Sequence, residues 1–228
     1  MHNPWHEYWN SGFINNKQLP QERVGRTVFG KSITEENWKK TLTFIRSQIT
    51  LNPEQIALEL CCGNGLISRD FSNYIQKVYA VDFSKTLIGE LDSLSLRNVK
   101  TICKDVNSID FHQNKFDIII LYFSIQYFNK QETILLIERC KKWLKNDGVI
   151  YIGDIPDEKK IWQFYKDKKY KENYFDALKK GQAIIGSWYS TKFFKFLGEY
   201  LKFSNTKIIK QKDFMINHHY RFDVLMTK

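Results

Sequence analysis

Residues 56–66 constrain this chain more than any other stretch. Ile56, Ala57, Leu58, Glu59 and Leu60 make a short apolar run with one acid near its end; Cys61 and Cys62 lead into Gly63, Asn64 and Gly65, and residues 66–74 suit a helix. The order is strand, glycine turn, helix. Glycine reaches the φ values a sharp turn needs and lets the main chain approach a ligand closely. A helix starting there turns free N–H groups and the positive end of its dipole toward whatever lies over the turn. Open α/β sheets bind ligands outside the carboxyl ends of their strands, where Glu59 stands.

The alternation continues. Residues 77–82 read as a second strand ending in Asp82, followed by Phe83 and a helix from Lys85 to about Leu94. Residues 99–103 make a third strand leading to Asp105 and Val106, and 116–122 form a near-continuous apolar run, as expected for a central strand buried on both faces. A helix over about 131–145 is expected to stop at Asn146, Asp147 and Gly148. A fifth strand then runs over 149–154, and residues 206–215 and 220–227 read as a closing hairpin turned at Asn217, His218 and His219. Strands alternating with helices at this pitch predict an α/β fold with a doubly wound, mainly parallel sheet. The reading is one domain over 1–228: an N-terminal cap (1–50), a ligand-binding core (51–156), a helical insert (157–200) and the terminal hairpin (201–228). The cap carries Trp5, His6, Tyr8, Trp9 and Phe13, a glycine-bracketed loop at 25–31 and a helix capped by Thr34. It serves either as a substrate wall or as cover for the sheet edge.

The chemistry lies on the strand ends. Asp82 comes 23 residues after Glu59, and Asp105 another 23 after Asp82. An acid ending the second strand can accept hydrogen bonds from both ribose hydroxyls. One ending the third can accept from an adenine amino group, with the Val106 N–H at a ring nitrogen and Phe83 on the ring face. Singly, each acid also reads as a helix cap or a solvated loop charge.

Two turn patterns compete. A dinucleotide turn, G-x-G-x-x-G/A, has Ser68 at its third small position here. The alternative pattern is an acid followed by glycine at every second position. Glu59-x-Cys61-x-Gly63-x-Gly65 resembles it, with Cys61 in place of the first glycine. With Asp82 and Asp105, the chain resembles the class I S-adenosylmethionine-dependent methyltransferases over about residues 51–156, extending to the hairpin. That resemblance implies a seven-stranded Rossmann-like sheet with an antiparallel last strand and S-adenosyl-L-methionine as cofactor. It implies a turn holding the methionine end through Cys61, Cys62, Gly63, Asn64 and Gly65, with Asp82 at the ribose and Asp105 at the adenine.

The implied reaction is an in-line displacement, in which positioning can supply much of the rate. Aromatic faces can steady a sulfonium, and Tyr122 and Tyr127 are candidates, with ordinary packing as the other reading. For a hydroxyl acceptor a base is useful. His218 and His219 at the hairpin turn, or His6 from the cap, are the candidates, with Asp154 as helper or acceptor ligand; the two turn histidines also read as plain turn residues. After the fourth strand stand Tyr122, Phe123, Ser124, Ile125, Gln126 and Tyr127, without the proline pair of the nucleic-acid amino methyltransferases. The expected acceptor is therefore a small molecule, such as a sugar or natural-product intermediate, methylated on O or N. An RNA methyltransferase, an NAD(P)-dependent oxidoreductase and a non-catalytic cofactor-binding protein are the alternatives.

The net charge of +10 suits nucleic acid or an anionic surface, but Lys, Asn, Ile and Phe are enriched throughout, which favours a general bias. No signal peptide and no apolar run near the ~20 residues of a membrane span is visible. The four cysteines lack C-x-x-C spacing and no ligand cluster points to a metal. A cytoplasmic protein with reduced thiols and no membrane partner is expected.

Overall fold

The computed structural model describes Trp9 and residues 19–28, 31–180 and 185–228. His6, Trp5, Tyr8 and Phe13 lie outside the described residues. Seven strands form the main sheet: β3 (Ile56–Leu60), β4 (Lys77–Asp82), β5 (Val99–Cys103), β6 (Phe116–Tyr122), β7 (Leu144–Pro156), β8 (Asn205–Lys210) and β9 (Arg221–Thr227). Their order is β5-β4-β3-β6-β7-β9-β8. β3 pairs in parallel with β4 and β6, β4 with β5 and β6 with β7, whereas β9 runs antiparallel between β7 and β8. The winding reverses between β3 and β6, which places the binding crevice over their carboxyl ends.

Period-two burial sorts the side chains into two layers. Leu58, Leu60, Ile119 and Leu121 pack with Leu136, Ile137 and Cys140 of α5 (Lys130–Trp143) and Phe194 and Leu197 of α8 (Thr191–Tyr200). The intervening Ala57, Ile118, Ile120 and Tyr122 pack with Trp38, Leu42 and Ile45 of α2 (Glu35–Gln48) and Ile67 and Phe71 of α3 (Leu66–Phe71). Each fully buried aliphatic side chain here stabilises the fold by roughly 1.5–3 kcal/mol over leaving it exposed. Thr34 caps α2 by accepting from Asn37 N, and Ser190 caps α8 by accepting from Phe193 N. Ahead of α2 lie α1 (Pro20–Arg23) and a two-residue hairpin, β1 (Thr27–Val28) with β2 (Lys31–Ser32). α4 (Lys85–Ser93) follows β4, and the insert holds α6 (Ile161–Phe164) and α7 (Lys168–Lys179).

Three boundaries differ from the sequence reading. α3 stops at Phe71 rather than 74. α5 ends at Trp143, because the buried Leu144 already pairs with Phe116 as the first residue of β7; Asn146, Asp147 (φ 61°) and Gly148 then form an irregularity inside that strand, not a helix cap. β8 stops at Lys210, since Gln211 turns inward, and residues 211–220 make a longer connection that buries Met215, Asn217 and Tyr220.

Candidate functional site

The turn after β3 is left-handed at three alternate positions: Cys61 (φ 54°), Gly63 (φ 57°) and Gly65 (φ 73°). A Cβ on Gly63 would meet Val24 Cγ1 at 2.7 Å, and one on Gly65 would meet Leu91 at 2.6 Å, so conformation and space both demand glycine. Cys61 follows the same path with a side chain, in a conformation that costs an L-residue about 1–2 kcal/mol. Phe123 (φ 60°) after β6 and Asp154 (φ 61°) in β7 are left-handed too. Strained residues of this kind collect where a site over-determines its geometry.

Three acids line the same rim. Glu59 is buried, and its Oε2 accepts from Ser68 N at 2.8 Å and from the Ser68 hydroxyl, tying β3 to the first turn of α3. Burial pushes its carboxyl up to about 7, against the pull of those Ser68 hydrogen bonds. Asp82 accepts from Gly63 N at 2.8 Å through Oδ2 and from Ser84 N at 2.9 Å through Oδ1; burial raises its pKa while these N–H groups oppose the rise. Asp105 is half-buried and accepts from Asn107 N at 2.7 Å.

A cleft of about 910 Å³, including its open mouth, lies over these strand ends. Of the residues singled out from sequence, Glu59, Cys61, Cys62, Gly63, Asp82, Phe83, Asp105, Val106, Tyr122 and Tyr127 line it. Gly65 caps α3 just behind the cleft wall. Asn64 turns away, its amide donating to Pro20 O at 3.0 Å and Glu90 Oε2 at 3.3 Å. Trp9 also lines the cleft, its ring centroid 6.0 Å from that of Tyr127 and edge-on to it. Burial raises the Tyr122 hydroxyl well above its usual range and keeps it protonated.

Beside Tyr122 the wall includes Arg26, which sequence reasoning missed, and Gln211, Arg221 and Asp223, missed as well, gather round Asp154. Arg26 Cζ lies 4.4 Å from the ring centre of Tyr122 and 4.6 Å from that of Phe123, and its Nη1 lies 3.6 Å from Asp154 Oδ2. Asp154 also receives Gln211 Nε2 and Asn217 Nδ2, both at 3.1 Å, while its main-chain N–H donates to Asp223 Oδ1 at 2.8 Å. Arg221 Nη1 donates to Gln126 Oε1 and to Asp154 O. Burial pushes Asp223 up to about 6, although the Tyr151 hydroxyl donates to it. From the 211–220 connection the side chains that reach Asp154 are Gln211 and Asn217, not the histidines. His218 directs Nδ1 to Met215 O at 2.9 Å, and the exposed His219 is held below its usual pKa by partial burial and by His218, Lys160 and Lys166. Neither imidazole is among the residues lining the cleft. Arg26 sits in the glycine-bracketed loop, the one local signal that could have drawn attention to it; Gln211, Arg221 and Asp223 carry none.

A methyltransferase-domain family model matches residues 57–148. The phosphoethanolamine N-methyltransferase of Plasmodium falciparum is 27% identical over 186 residues, covering 73% of this chain and 68% of that protein. Phosphoethanolamine N-methyltransferase 1 of Triticum aestivum is 27% identical over 152 residues, and there the match spans 64% of this chain but only 29% of the relative. The structure of magnesium protoporphyrin IX methyltransferase from Synechocystis with bound SAH superposes with a TM-score of 0.64 at 14% identity, covering 97% of this chain and 96% of that one. At that identity the likeness speaks for the fold.

Proposed function

This chain belongs to the class I S-adenosylmethionine-dependent methyltransferases, and we propose that it methylates a nitrogen or oxygen of a small-molecule acceptor. The observation that carries this reading is the cleft itself, with an acid from each of three successive parallel strands on its floor and aromatic side chains at its β6 end. With the family, the nicotinamide-dependent alternative falls away. Bound S-adenosylmethionine supplies an activated methyl on a sulfonium, lost to the acceptor's lone pair.

The chain's own residues hold and aim the reactants. The left-handed main chain at Cys61 and Gly63, with Glu59 beside it, would hold the methionine end. The carboxylate of Asp82 accepts from the main-chain N–H groups of Gly63, Ser84 and Phe83, and its remaining acceptor capacity would serve a ribose hydroxyl. Asp105 and the Val106 N–H would hold the adenine edge, and Phe83 would cover its face. Tyr122, Tyr127 and Trp9 wall the methyl side, where ring faces favour a cation. In this reading alignment supplies the rate and no histidine of the 211–220 connection serves as base. The phosphoethanolamine N-methyltransferase of Plasmodium falciparum acts, as its name states, on a small amino compound, which favours an acceptor of modest size.

Isothermal titration calorimetry tests the core of this. S-adenosylhomocysteine should bind and raise the melting temperature, while NAD and NADP do neither. A protein that ignores S-adenosylhomocysteine would overturn the reading. Transfer of a labelled methyl to a panel of small amines, phosphates and sugars, against structured RNA, then separates the acceptor classes.

A further inference from the structure

We propose that Arg26 is an oxyanion-docking residue: a carboxylate or phosphate oxygen of a small molecule bound in the cleft sits against its Nε and Nη1. The inference deepens the methyl-transfer reading and rests on its cleft. Arg26 is 6% exposed and lines the cavity. Its Nε and Nη1 are buried with no hydrogen-bond partner among the described residues. The neighbouring carboxylate, Asp154, approaches Nη1 only to 3.6 Å, an ion-pair separation beyond hydrogen-bond reach, and both its oxygens already receive Gln211 and Asn217. The rings of Tyr122, Phe123 and Trp38 hold the guanidinium in place, its Cζ 5.4 Å from the last, but ring faces leave N–H donors unmet.

The main chain fixes this arrangement. Arg26 N donates to Gln21 O at 2.8 Å and its carbonyl accepts from Ile33 N at 3.1 Å, so the backbone that carries the side chain is held in place. A buried guanidinium with unmet donors is a strained arrangement that a carboxylate or phosphate relieves, because the fork matches two oxygens at once. Burial also lowers the Arg26 pKa, as expected of a cation short of partners. Glu59 lines the same cleft, so the wall carries both a carboxyl group and a cation.

Two sources supply such an oxyanion: the amino-acid carboxylate of the cofactor, or an anionic group on the acceptor. Three ligands separate them. S-adenosylhomocysteine and 5′-methylthioadenosine share the nucleoside and thioether, but only the first has a carboxylate. Inorganic phosphate, titrated onto protein saturated with S-adenosylhomocysteine, probes an acceptor subsite by thermal shift. If the cofactor carboxylate docks, Arg26→Gln weakens S-adenosylhomocysteine at least tenfold and leaves 5′-methylthioadenosine unchanged. If an acceptor anion docks, Arg26→Gln leaves both nucleosides unchanged and abolishes a phosphate-induced rise in melting temperature seen in the parent. Arg26→Lys, which keeps the charge and loses the fork, should show the smaller loss in the same arm, and it replaces the glutamine variant if that one does not fold. Equal weakening of both nucleosides, or no change in any arm, overturns the role of Arg26. Failure of the parent protein to bind S-adenosylhomocysteine at all would instead bring down the methyl-transfer reading.

Discussion

The main-chain N–H of Gly63 donates to Oδ2 of Asp82 at 2.8 Å, so the acid ending β4 braces the glycine turn that follows β3. In the proposed reading Asp82 therefore has two tasks in one carboxylate. Asp82→Ala removes a ribose acceptor and also releases the turn, and S-adenosylhomocysteine affinity should fall by roughly ten- to a hundredfold, since a hydrogen bond to a charged group is worth about 1.5–3 kcal/mol. Asp82→Asn keeps one acceptor oxygen and should lose less. Calorimetry on both variants checks this; affinity unchanged in the alanine variant would remove Asp82 from the site.

Cys61 tests the turn from the other side. At φ 54° its side chain costs about 1–2 kcal/mol, whereas glycine there loses about 0.5–1 kcal/mol through chain entropy. Cys61→Gly should thus lie within about 1 kcal/mol of the parent. Cys61→Val, branched at Cβ, should be less stable than the glycine variant by about 1–3 kcal/mol. Urea denaturation compares the pair, and equal stability would mean the backbone at 61 is not left-handed.

Glu59 predicts a pH dependence with a definite sign. Its carboxyl sits at about 7 in the folded protein against an ordinary 4.5. Across that window the folded state keeps a proton that the unfolded chain has released, so stability is greatest below 4.5 and declines as pH rises to about 7, by about 3 kcal/mol at most. Asp223 acts in the same direction between 3.8 and about 6. Glu59→Gln should flatten the upper part of the decline, and melting temperatures from pH 5 to pH 8 report it. A variant whose decline between pH 6 and 7 matches that of the parent would show that Glu59 does not titrate there.

The acids and the turn were legible because each depends on a few neighbouring residues. Glu59, Asp82 and Asp105 sit at or just past the ends of apolar runs that declare themselves as strands, and Gly63 and Gly65 mark the turn. The wall around Asp154 was not legible, because its contacts join residues far apart in the chain: Gln211 lies 57 positions away and Asp223, 69. No local pattern records such a meeting. Asn146, Asp147 and Gly148 misled for the opposite reason: their local signal favours a helix end, but pairing of Leu144 with Phe116 had already started the strand.

The histidines that the hairpin reading brought to the rim have modest duties in the structure. His218 bonds the carbonyl of Met215 within its own loop, and His219 is exposed. Loss of a working general base lowers turnover by about 10²–10⁴. His218→Ala and His219→Ala should each lose less than about tenfold once an acceptor is in hand. A hundredfold loss in either, at unchanged cofactor affinity, would reinstate an imidazole as base and require the 211–220 connection to move over the cleft.

Asp154 carries the largest expected effect on stability. Its side chain is buried between the guanidinium groups of Arg26 and Arg221, at 3.6 and 3.8 Å. Removing the shared carboxylate leaves two buried cations facing each other, and breaking a buried pair in this way typically costs about 3–5 kcal/mol. The side chain also receives Gln211 and Asn217, which would lose their acceptor together with it. Left-handed geometry at φ 61° adds a second constraint, since asparagine tolerates that conformation and alanine does not. Asp154→Ala should therefore be destabilised by at least about 3 kcal/mol. Asp154→Asn should fall between it and the parent, and the ordering is read from urea midpoints. If Asp154→Ala unfolds at the same urea concentration as the parent while turnover collapses, Asp154 acts on the acceptor directly and the two arginines are held by other means.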